Sequence, residues 1–175
     1  MKEARKMALC GMMAALSVVL MIVGAALELG MYASPVLAGL CLASVRQEAG
    51  VKFQIITWLS VSLISFMLVN NIEQNLMYFG VFGCYPILRP WLQDRPRGLG
   101  MLLKGAFFNG VVIGLEALVM LVLAPESLGY GMLIALLAMG NLLFVVYDYL
   151  IPRYEMIIGR YVEKALGRGK RGGRK

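Results

Sequence analysis

The sequence predicts an all-α, polytopic integral membrane protein in which six transmembrane helices form a single bundle with both termini in the cytoplasm. One observation is a series of six predominantly apolar stretches, each about 17 to 21 residues long, which is enough for a helix to cross a hydrocarbon core. Another is composition, because 60% of the residues are hydrophobic and the mean hydropathy is +0.76, far above a soluble domain. The predicted spans are 7–27, 29–45, 53–69, 75–92, 105–124 and 131–151.

The third observation is the distribution of charge, which orients these spans. All 17 Lys and Arg residues lie near the N-terminus, at every second connection or in the C-terminal segment. The other three connections contain Glu28, Glu73 and Glu126 and hold no cation. Because cationic loops are retained in the cytoplasm, an even number of spans with this bias predicts an N-in, C-in orientation. We therefore expect a multi-pass protein of the bacterial cytoplasmic membrane.

The chain is expected to contain one transmembrane domain, 1–152, followed by a basic cytoplasmic tail, 153–175. The net charge of the chain is +7, and its tail reads GRGKRGGRK. This pattern of Gly, Lys and Arg is also seen in disordered RNA-binding segments. Attraction to anionic membrane lipid, worth about 1 kcal/mol per cation, is the favoured interpretation, so no nucleic-acid partner is expected. No GxxxxGK[ST] phosphate loop is present, which predicts that any ATPase is a separate subunit. The absence of histidine argues against a metal site, and no cofactor is expected.

Prolines predict irregular helices in two spans. Pro35 falls near the outer end of the second span, and Pro86 and Pro90 near the inner end of the fourth. Proline removes a backbone donor, and broken helices are tolerated in a membrane where neighbouring groups satisfy the freed carbonyls. We expect these spans to lie within the bundle or to line a cavity, although a simple kink is the commoner outcome. The segment 89–100, RPWLQDRPRGLG, is predicted to lie along the cytoplasmic face without forming a long helix.

Small residues form a stripe along the cytoplasmic half of the first span. Ala4, Ala8, Gly11 and Ala15 are separated by four, three and four positions, so they share one face of an α-helix. Such residues let another backbone approach closely, which is how helices associate in lipid. The stripe is predicted to be a docking groove, either for a partner protein or for another helix of the same chain. A second pair on the fifth span, Gly110 and Gly114, is expected to serve internal packing.

With its basic start, the segment RKMALCGMMAALSVVL in a six-span chain of this size resembles the substrate-binding S components of energy-coupling factor (ECF) transporters. In that family an AxxxA pattern on the first helix packs on a separate transmembrane coupling subunit, which two cytoplasmic ATPases drive. The resemblance implies that Ala8, Gly11 and Ala15 contact this coupling subunit. The first outer connection, 28–30, is much shorter than the gating loop usual in that family.

Polar residues within the last two spans predict two pairs between helices. Glu116 and Asp148 each follow an asparagine, Asn109 and Asn141, by seven positions, which places each asparagine and acid on nearly the same helix face. Because the two spans are antiparallel, similar depth pairs Glu116 with Asn141 and Asn109 with Asp148. The deeper pair is interpreted as a structural contact between helices, whereas Glu116 is a candidate for either structural packing or solute binding.

The three outer connections supply acidic, amide and tyrosine side chains but no cation, which favours a cationic or hydrogen-bonding organic ring as solute. A solvated turn at 70–75 and an interfacial tyrosine belt are the alternative readings. The expected substrate-binding residues are Glu28, Tyr32, Asn71, Glu73, Asn75, Tyr78, Glu116, Tyr130 and Asn141.

Three functions compete. The favoured one is an S component that captures a small, vitamin-like organic solute from outside for ATP-driven uptake by partner subunits, without covalent chemistry. A non-catalytic membrane scaffold or envelope assembly factor is the main alternative. An intramembrane enzyme that uses Glu116 or Asp148 is disfavoured, because the sequence has no histidine, no GxSxG motif and no close pair of acids. No catalytic residue is therefore predicted.

Overall fold

A computed structural model describes residues 3–27, 32–122 and 130–165, and this part of the chain is helical apart from short turns, with no β-strand. The predicted all-α class is thus confirmed. The α-helices are α1 (Glu3–Ala26), α2 (Ala33–Ala49), α3 (Val51–Leu68), α4 (Ile72–Met77), α5 (Tyr85–Gln93), α6 (Arg97–Val122) and α7 (Tyr130–Ala165), with a π-helical segment, Tyr78–Phe82, between α4 and α5.

Three segments of the described residues are long and apolar enough to cross a membrane, namely Glu3–Ala26, Val51–Leu68 and Gly98–Val119. They belong to α1, α3 and α6. The structure thus contains helices of the length and composition that a membrane-spanning protein requires.

Helix α2 lies at the centre of the bundle. Its residues from Ser34 to Val45 are buried except for Leu37, and it contacts α1, α3 and α7. The many small side chains in ASPVLAGLCLAS allow this close packing on several sides. Pro35 does not interrupt the helix as predicted, because it is the third residue of α2 and the first turn of a helix makes no use of its backbone N–H groups.

The fourth predicted span is broken, as expected, but the break lies at 78–84 and Pro90 lies inside α5 without interrupting it. It consists of α4, the π-helical segment and α5, and the N–H of Gly83 donates to the carbonyl of Tyr78 at 2.7 Å, a π-type bond. Pro86 has no N–H for the carbonyl of Phe82, and the hydroxyl of Tyr147 donates to that oxygen at 2.6 Å instead. A side chain from α7 therefore stabilises the break.

Two further prolines free carbonyls that arginines then bind. Pro90 cannot donate to the carbonyl of Pro86, and Nη1 of Arg46 lies 3.3 Å from that oxygen. In α7, Pro152 leaves the carbonyl of Asp148 without its helical donor, and Nη2 of Arg89 donates to it at 3.4 Å. Each of these two prolines is thus matched by a cation from a different helix.

The ends of the helices differ from the prediction in two places. Helix α6 already begins at Arg97, so only residues 94–96 separate it from α5 and the segment 97–100 is helical. Helix α7 has 36 residues and continues through Pro152 to Ala165, so 153–165 of the predicted tail are helical. The remaining tail residues, 166–175, lie outside the described residues.

Two hydrophobic clusters flank α2 and the broken span. One joins α2 and the broken span to α6 and α7 through Phe82, Phe108 and Phe144, and the other joins α1, α2 and α3 around Met21 and Tyr78. Because α2 and the π-helical segment contribute to both clusters, the helices form a single bundle.

Candidate functional site

The two ends of the bundle differ in charge. We call the end with Arg46, Arg89 and Lys104 the basic end, and the opposite end, with Glu73 and Glu116, the acidic end. The acidic end corresponds to the predicted outer side, and the basic end to the predicted cytoplasmic side.

At the acidic end the structure brings together three of the predicted solute-binding residues. Tyr32 precedes α2, Glu73 lies in the first turn of α4, and Glu116 lies on α6. Both carboxylates are close enough to Tyr32 to act electrostatically on its hydroxyl. They meet at a cavity of about 30 Å³ and an adjoining cleft of about 10 Å³, which share Glu116 and Met77. The cavity is lined by Tyr32, Met77, Phe82, Phe108, Val112, Glu116, Met139, Gly140 and Leu143.

The cavity is apolar except for the tyrosine and the carboxylate, and it has room for about two water molecules. No Lys or Arg of the described residues forms an ion pair with Glu73 or Glu116. The sequence also places no cation in 28–31 or 123–129. The acidic end therefore carries uncompensated negative charge beside an aromatic ring, which suits a cationic group.

The other predicted site residues lie elsewhere. The side chain of Asn71 caps α4 by accepting a hydrogen bond from the backbone N–H of Gln74 at 3.0 Å. Asn75 is buried and donates to the carbonyl of Val69 at 2.9 Å, and Tyr78 is fully buried in the cluster around Met21. Glu28 is outside the described residues, as is Glu126. Tyr130 is the first residue of α7, and its side chain also falls outside the described part of the chain.

The predicted pairing across α6 and α7 is wrong. Asn109 and Asn141 bond each other reciprocally, at 3.1 Å and 2.8 Å, and their amide nitrogens also donate to carbonyls one turn earlier. Glu116 lies beside Gly140, as the depth argument requires, but the Asn141 side chain is directed to Asn109. The two asparagines thus form a contact between helices, without an acid.

Asp148 instead forms a polar cluster at the basic end that joins three helices. Its Oδ1 accepts hydrogen bonds from the hydroxyl of Tyr85 at 2.5 Å and from Nε of Arg89 at 2.9 Å. Its Oδ2 accepts one from Nζ of Lys104 at 2.7 Å. Asp148 is therefore a structural carboxylate with two cations beside it.

A second carboxyl group of α7, Glu155, lies beyond the predicted sixth span. Burial raises the pKa of the Glu155 carboxyl, and Arg89 and Arg46 oppose the rise.

Helix α4 carries polar groups that sequence reasoning placed in an outer turn. Gln74 is 2% exposed, and its Nε2 donates to the carbonyl of Met21 at 2.7 Å and to the Ser34 hydroxyl at 2.8 Å. Within the described residues, Gln74 Oε1, Asn75 Oδ1 and the Tyr78 hydroxyl are buried and have no hydrogen-bond partner. Such atoms are uncommon in folded proteins, so α4 and the start of the π-helical segment offer hydrogen-bonding capacity inside the bundle. The signal was present in NNIEQNLMY, 70–78, where Gln74 and Tyr78 are one turn apart.

The small-residue stripe of α1 is exposed along its whole length. Ala4, Ala8, Gly11 and Ala15 are all exposed, and a Cβ added at Gly11 would meet nothing within 4 Å. The buried face of α1 consists of other residues, Ser17, Val18, Met21 and Gly24. No helix among the described residues therefore fills the stripe.

The glycine pair of α6 is exposed as well. A Cβ at Gly110 or at Gly114 would meet nothing within 4 Å, so the expected internal packing of this pair is wrong.

These observations define the class of the molecule as an all-helical protein with helices apolar enough to span a membrane. No protein-family model matches the chain, and comparisons with curated proteins and with solved structures give no significant match. The described residues contain no group of three or more His, Cys, Asp or Glu side chains placed to hold a metal ion. Function must therefore be inferred from the site itself.

Proposed function

We propose that this chain is the membrane-embedded, substrate-binding subunit of an ECF-type transporter. It crosses the bacterial cytoplasmic membrane six times with both termini inside, and its acidic end faces outward. There it captures a small organic solute, which a transmembrane coupling subunit and two cytoplasmic ATPases then drive across the membrane. The chain itself performs no covalent chemistry.

The exposed stripe on α1 is the observation that carries this proposal. A stripe of small residues in an apolar helix normally packs against another helix, because close backbone contact replaces the hydrophobic drive available in water. Here the four residues are exposed, and the space beside Gly11 is open. The stripe lies in the basic half of α1, where a coupling subunit would reach it from the cytoplasmic leaflet.

The acidic end supports an organic solute with hydrogen-bond donors or positive charge. Glu73 and Glu116 have no cationic partner among the described residues, and Tyr32 adds an aromatic face. The acceptor oxygens of Gln74 and Asn75 extend this preference into the bundle. Because the cavity is only about 30 Å³, solute entry requires α4, α6 and α7 to separate at this end.

Affinity purification of the tagged chain from bacterial membranes tests the proposal. We expect one large transmembrane subunit and two ATPases to copurify. Gly11→Leu should reduce their recovery about ten-fold or more, because the leucine side chain blocks backbone approach. Mass spectrometry of the eluted subunits measures this recovery.

Gly114→Leu is the matched control. It places the same side chain at another exposed glycine with open space around it, on α6, and should leave recovery unchanged. Full recovery with Gly11→Leu would remove the stripe from the coupling contact. A wild-type chain that copurifies with no ATPase would reject the transporter subunit altogether.

The small cavity favours a second candidate, a non-catalytic scaffold or envelope assembly factor. A protein of this kind needs no space for a solute, and its exposed stripe would bind a helix of the assembled complex. It predicts copurification of envelope proteins without ATPases, and unchanged thermal stability in the presence of organic solutes.

A further inference from the structure

A groove between α6 and α7 extends to Lys104 and Asp148 at the basic end, and its lining residues differ from those of the acidic cavity. Its volume is about 290 Å³, against about 30 Å³ for the acidic cavity. The groove is open to the surroundings of the bundle, because Met101 is 79% exposed and Val145 is 65% exposed on its rim. Its lining residues are Met101, Lys104, Gly105, Asn141, Phe144, Val145 and Asp148.

The sequence explains why the groove forms. Phe108 of α6 stacks on Phe144 of α7 with ring centroids 4.7 Å apart, and the Asn109–Asn141 pair closes the same contact. One turn closer to the basic end stands Gly105, where an added Cβ would meet nothing within 4 Å. The missing side chain leaves the space between the two helices open.

The lining is amphipathic along its length. On α7, Asn141, Phe144, Val145 and Asp148 share one face, so the charged group is at the basic end and the aromatic and aliphatic groups lie deeper. On α6, Lys104 directly precedes the fifth predicted span, 105–124. This is the level at which a lipid passes from its polar headgroup to its acyl chains.

Aromatic side chains at the basic end mark the same level. The guanidinium of Arg95 lies 5.1 Å from the Trp91 ring, and that of Arg153 lies 4.5 Å from the Tyr149 ring. Both rings are exposed, and Trp and Tyr are enriched where a membrane meets water.

Lys104 and Asp148 are the charged residues that line the groove, and Arg89 of α5 reaches Asp148 from outside the lining. Arg89 and Lys104 both bond to Asp148, so two cations share one carboxylate. The Lys104 ammonium has three N–H donors and uses one of them on Asp148, which leaves two for a further acceptor.

We propose that this groove binds one anionic phospholipid of the inner leaflet. The lipid phosphate accepts hydrogen bonds from Lys104, and an acyl chain lies against Phe144 and Val145 in the space beside Gly105. The site is separate from the acidic end and does not depend on the transported solute. Its occupancy connects α6 to α7 where the two helices otherwise have few contacts.

Native mass spectrometry of the full-length, lipid-depleted chain in detergent tests the proposal. The probes are phosphatidylglycerol, phosphatidylcholine with the same acyl chains, and glycerol 3-phosphate, which has no chains. We expect one phosphatidylglycerol per chain, bound about five-fold more tightly than phosphatidylcholine, since one cation near a membrane contributes about 1 kcal/mol. Glycerol 3-phosphate should not bind at the same concentration.

Two variants separate the parts of the site. Gly105→Leu fills the groove without meeting a neighbour and should weaken phosphatidylglycerol binding about ten-fold or more, whereas Gly114→Leu, at an open position on the same helix, should not. Lys104→Gln should bind the two lipids equally. If this variant does not fold, because Lys104 also bonds Asp148, Gly105→Leu decides alone.

Three binding results would overturn the proposal. They are equal binding of the two lipids by the wild-type chain, unchanged binding by Gly105→Leu, and binding of glycerol 3-phosphate as tight as that of the lipid. A dimer that Gly105→Leu dissociates, with no bound lipid, would assign the groove to a second copy of the chain.

Discussion

The acidic and basic ends of the bundle each place a carboxylate within an apolar helix, but they treat it differently. Asp148 accepts hydrogen bonds from Tyr85, Arg89 and Lys104, which come from two other helices. Glu116 forms no ion pair among the described residues and instead lines a cavity with Tyr32 and an adjoining cleft with Glu73.

This difference indicates a structural role for Asp148 and a binding role for Glu116. A carboxylate within an apolar helix is costly, and pairing with cations recovers much of that cost, so the contacts of Asp148 account for its presence. Glu116 has no such compensation, and a second acid nearby raises its cost further. A residue that costs stability at the wall of a cavity is a candidate for binding.

Of the substitutions considered, Asp148→Asn should have the largest effect on the free energy of unfolding. The neutral amide removes the carboxylate that Arg89 and Lys104 share, so the free energy of unfolding should fall by about 2 to 3 kcal/mol, within the range for hydrogen bonds to charged groups. Reversible unfolding in mixed detergent micelles measures this loss.

Asp94→Asn is the control, because Asp94 is an exposed acid in the turn after α5 and should tolerate the change within about 0.5 kcal/mol. An Asp148→Asn protein as stable as wild type would show that the cluster at the basic end is not a structural one.

A smaller loss of stability is expected for Tyr147→Phe. This substitution tests whether the Tyr147 hydroxyl stabilises the helix break in the fourth span. The substitution removes the hydroxyl that donates to the Phe82 carbonyl at 2.6 Å, where Pro86 supplies no N–H. An unpaired buried carbonyl costs about 1 to 2 kcal/mol. The same unfolding measurement should show this loss.

Tyr149→Phe provides the comparison, since Tyr149 is two residues away and exposed. Equal stability of the two variants would mean that the Phe82 carbonyl finds another donor, and that the break in the fourth span does not depend on α7.

The sequence was sufficient for the helical class and for an irregular helix in the fourth span, but not for the place of the break, which lies at 78–84. Apolar stretches define helices regardless of how they pack, and Pro86 and Pro90 remove donors wherever their helix lies. Pro35 was misread because its effect depends on where α2 begins. That boundary is set by Ala33, with no capping side chain to mark it.

The contacts of the two acids were harder to predict. Matching depths along straight helices paired each acid with an asparagine, and this ignored the reach of arginine and lysine. Arg89 and Lys104 extend to Asp148 from other helices and form charge-assisted bonds, which are stronger than bonds to an amide. The asparagines were then left to pair with each other.

At the acidic end, the sign of the charge followed from the sequence, because the outer connections contain acids and no cation. The sequence did not predict that Tyr32, Glu73 and Glu116 lie close together. Their proximity depends on how α2, α4 and α6 are arranged around the cavity. Gln74 was missed because its neighbours in NNIEQN suggested a solvated turn, whereas α4 turns this side chain toward α1 and α2.

The smallest change in stability is expected for Glu116→Gln, together with the largest change in solute binding. Because Glu116 has no ion pair to lose, the free energy of unfolding should change by no more than about 0.5 kcal/mol. Thermal unfolding with a panel of vitamins and nucleobase-like solutes should identify one that stabilises the wild-type chain, by RT ln(1 + [L]/Kd), and stabilises Glu116→Gln less.

Two results would contradict a binding role for Glu116. A loss of stability in Glu116→Gln as large as that in Asp148→Asn would make Glu116 a structural residue. A solute that stabilises the variant and the wild type equally would place the binding site away from Glu116, and the buried oxygens of Gln74 and Asn75 would then be the groups to substitute next. Asp94→Asn, which is distant from the cavity, should leave the stabilisation by any solute unchanged and so exclude a general effect of removing negative charge.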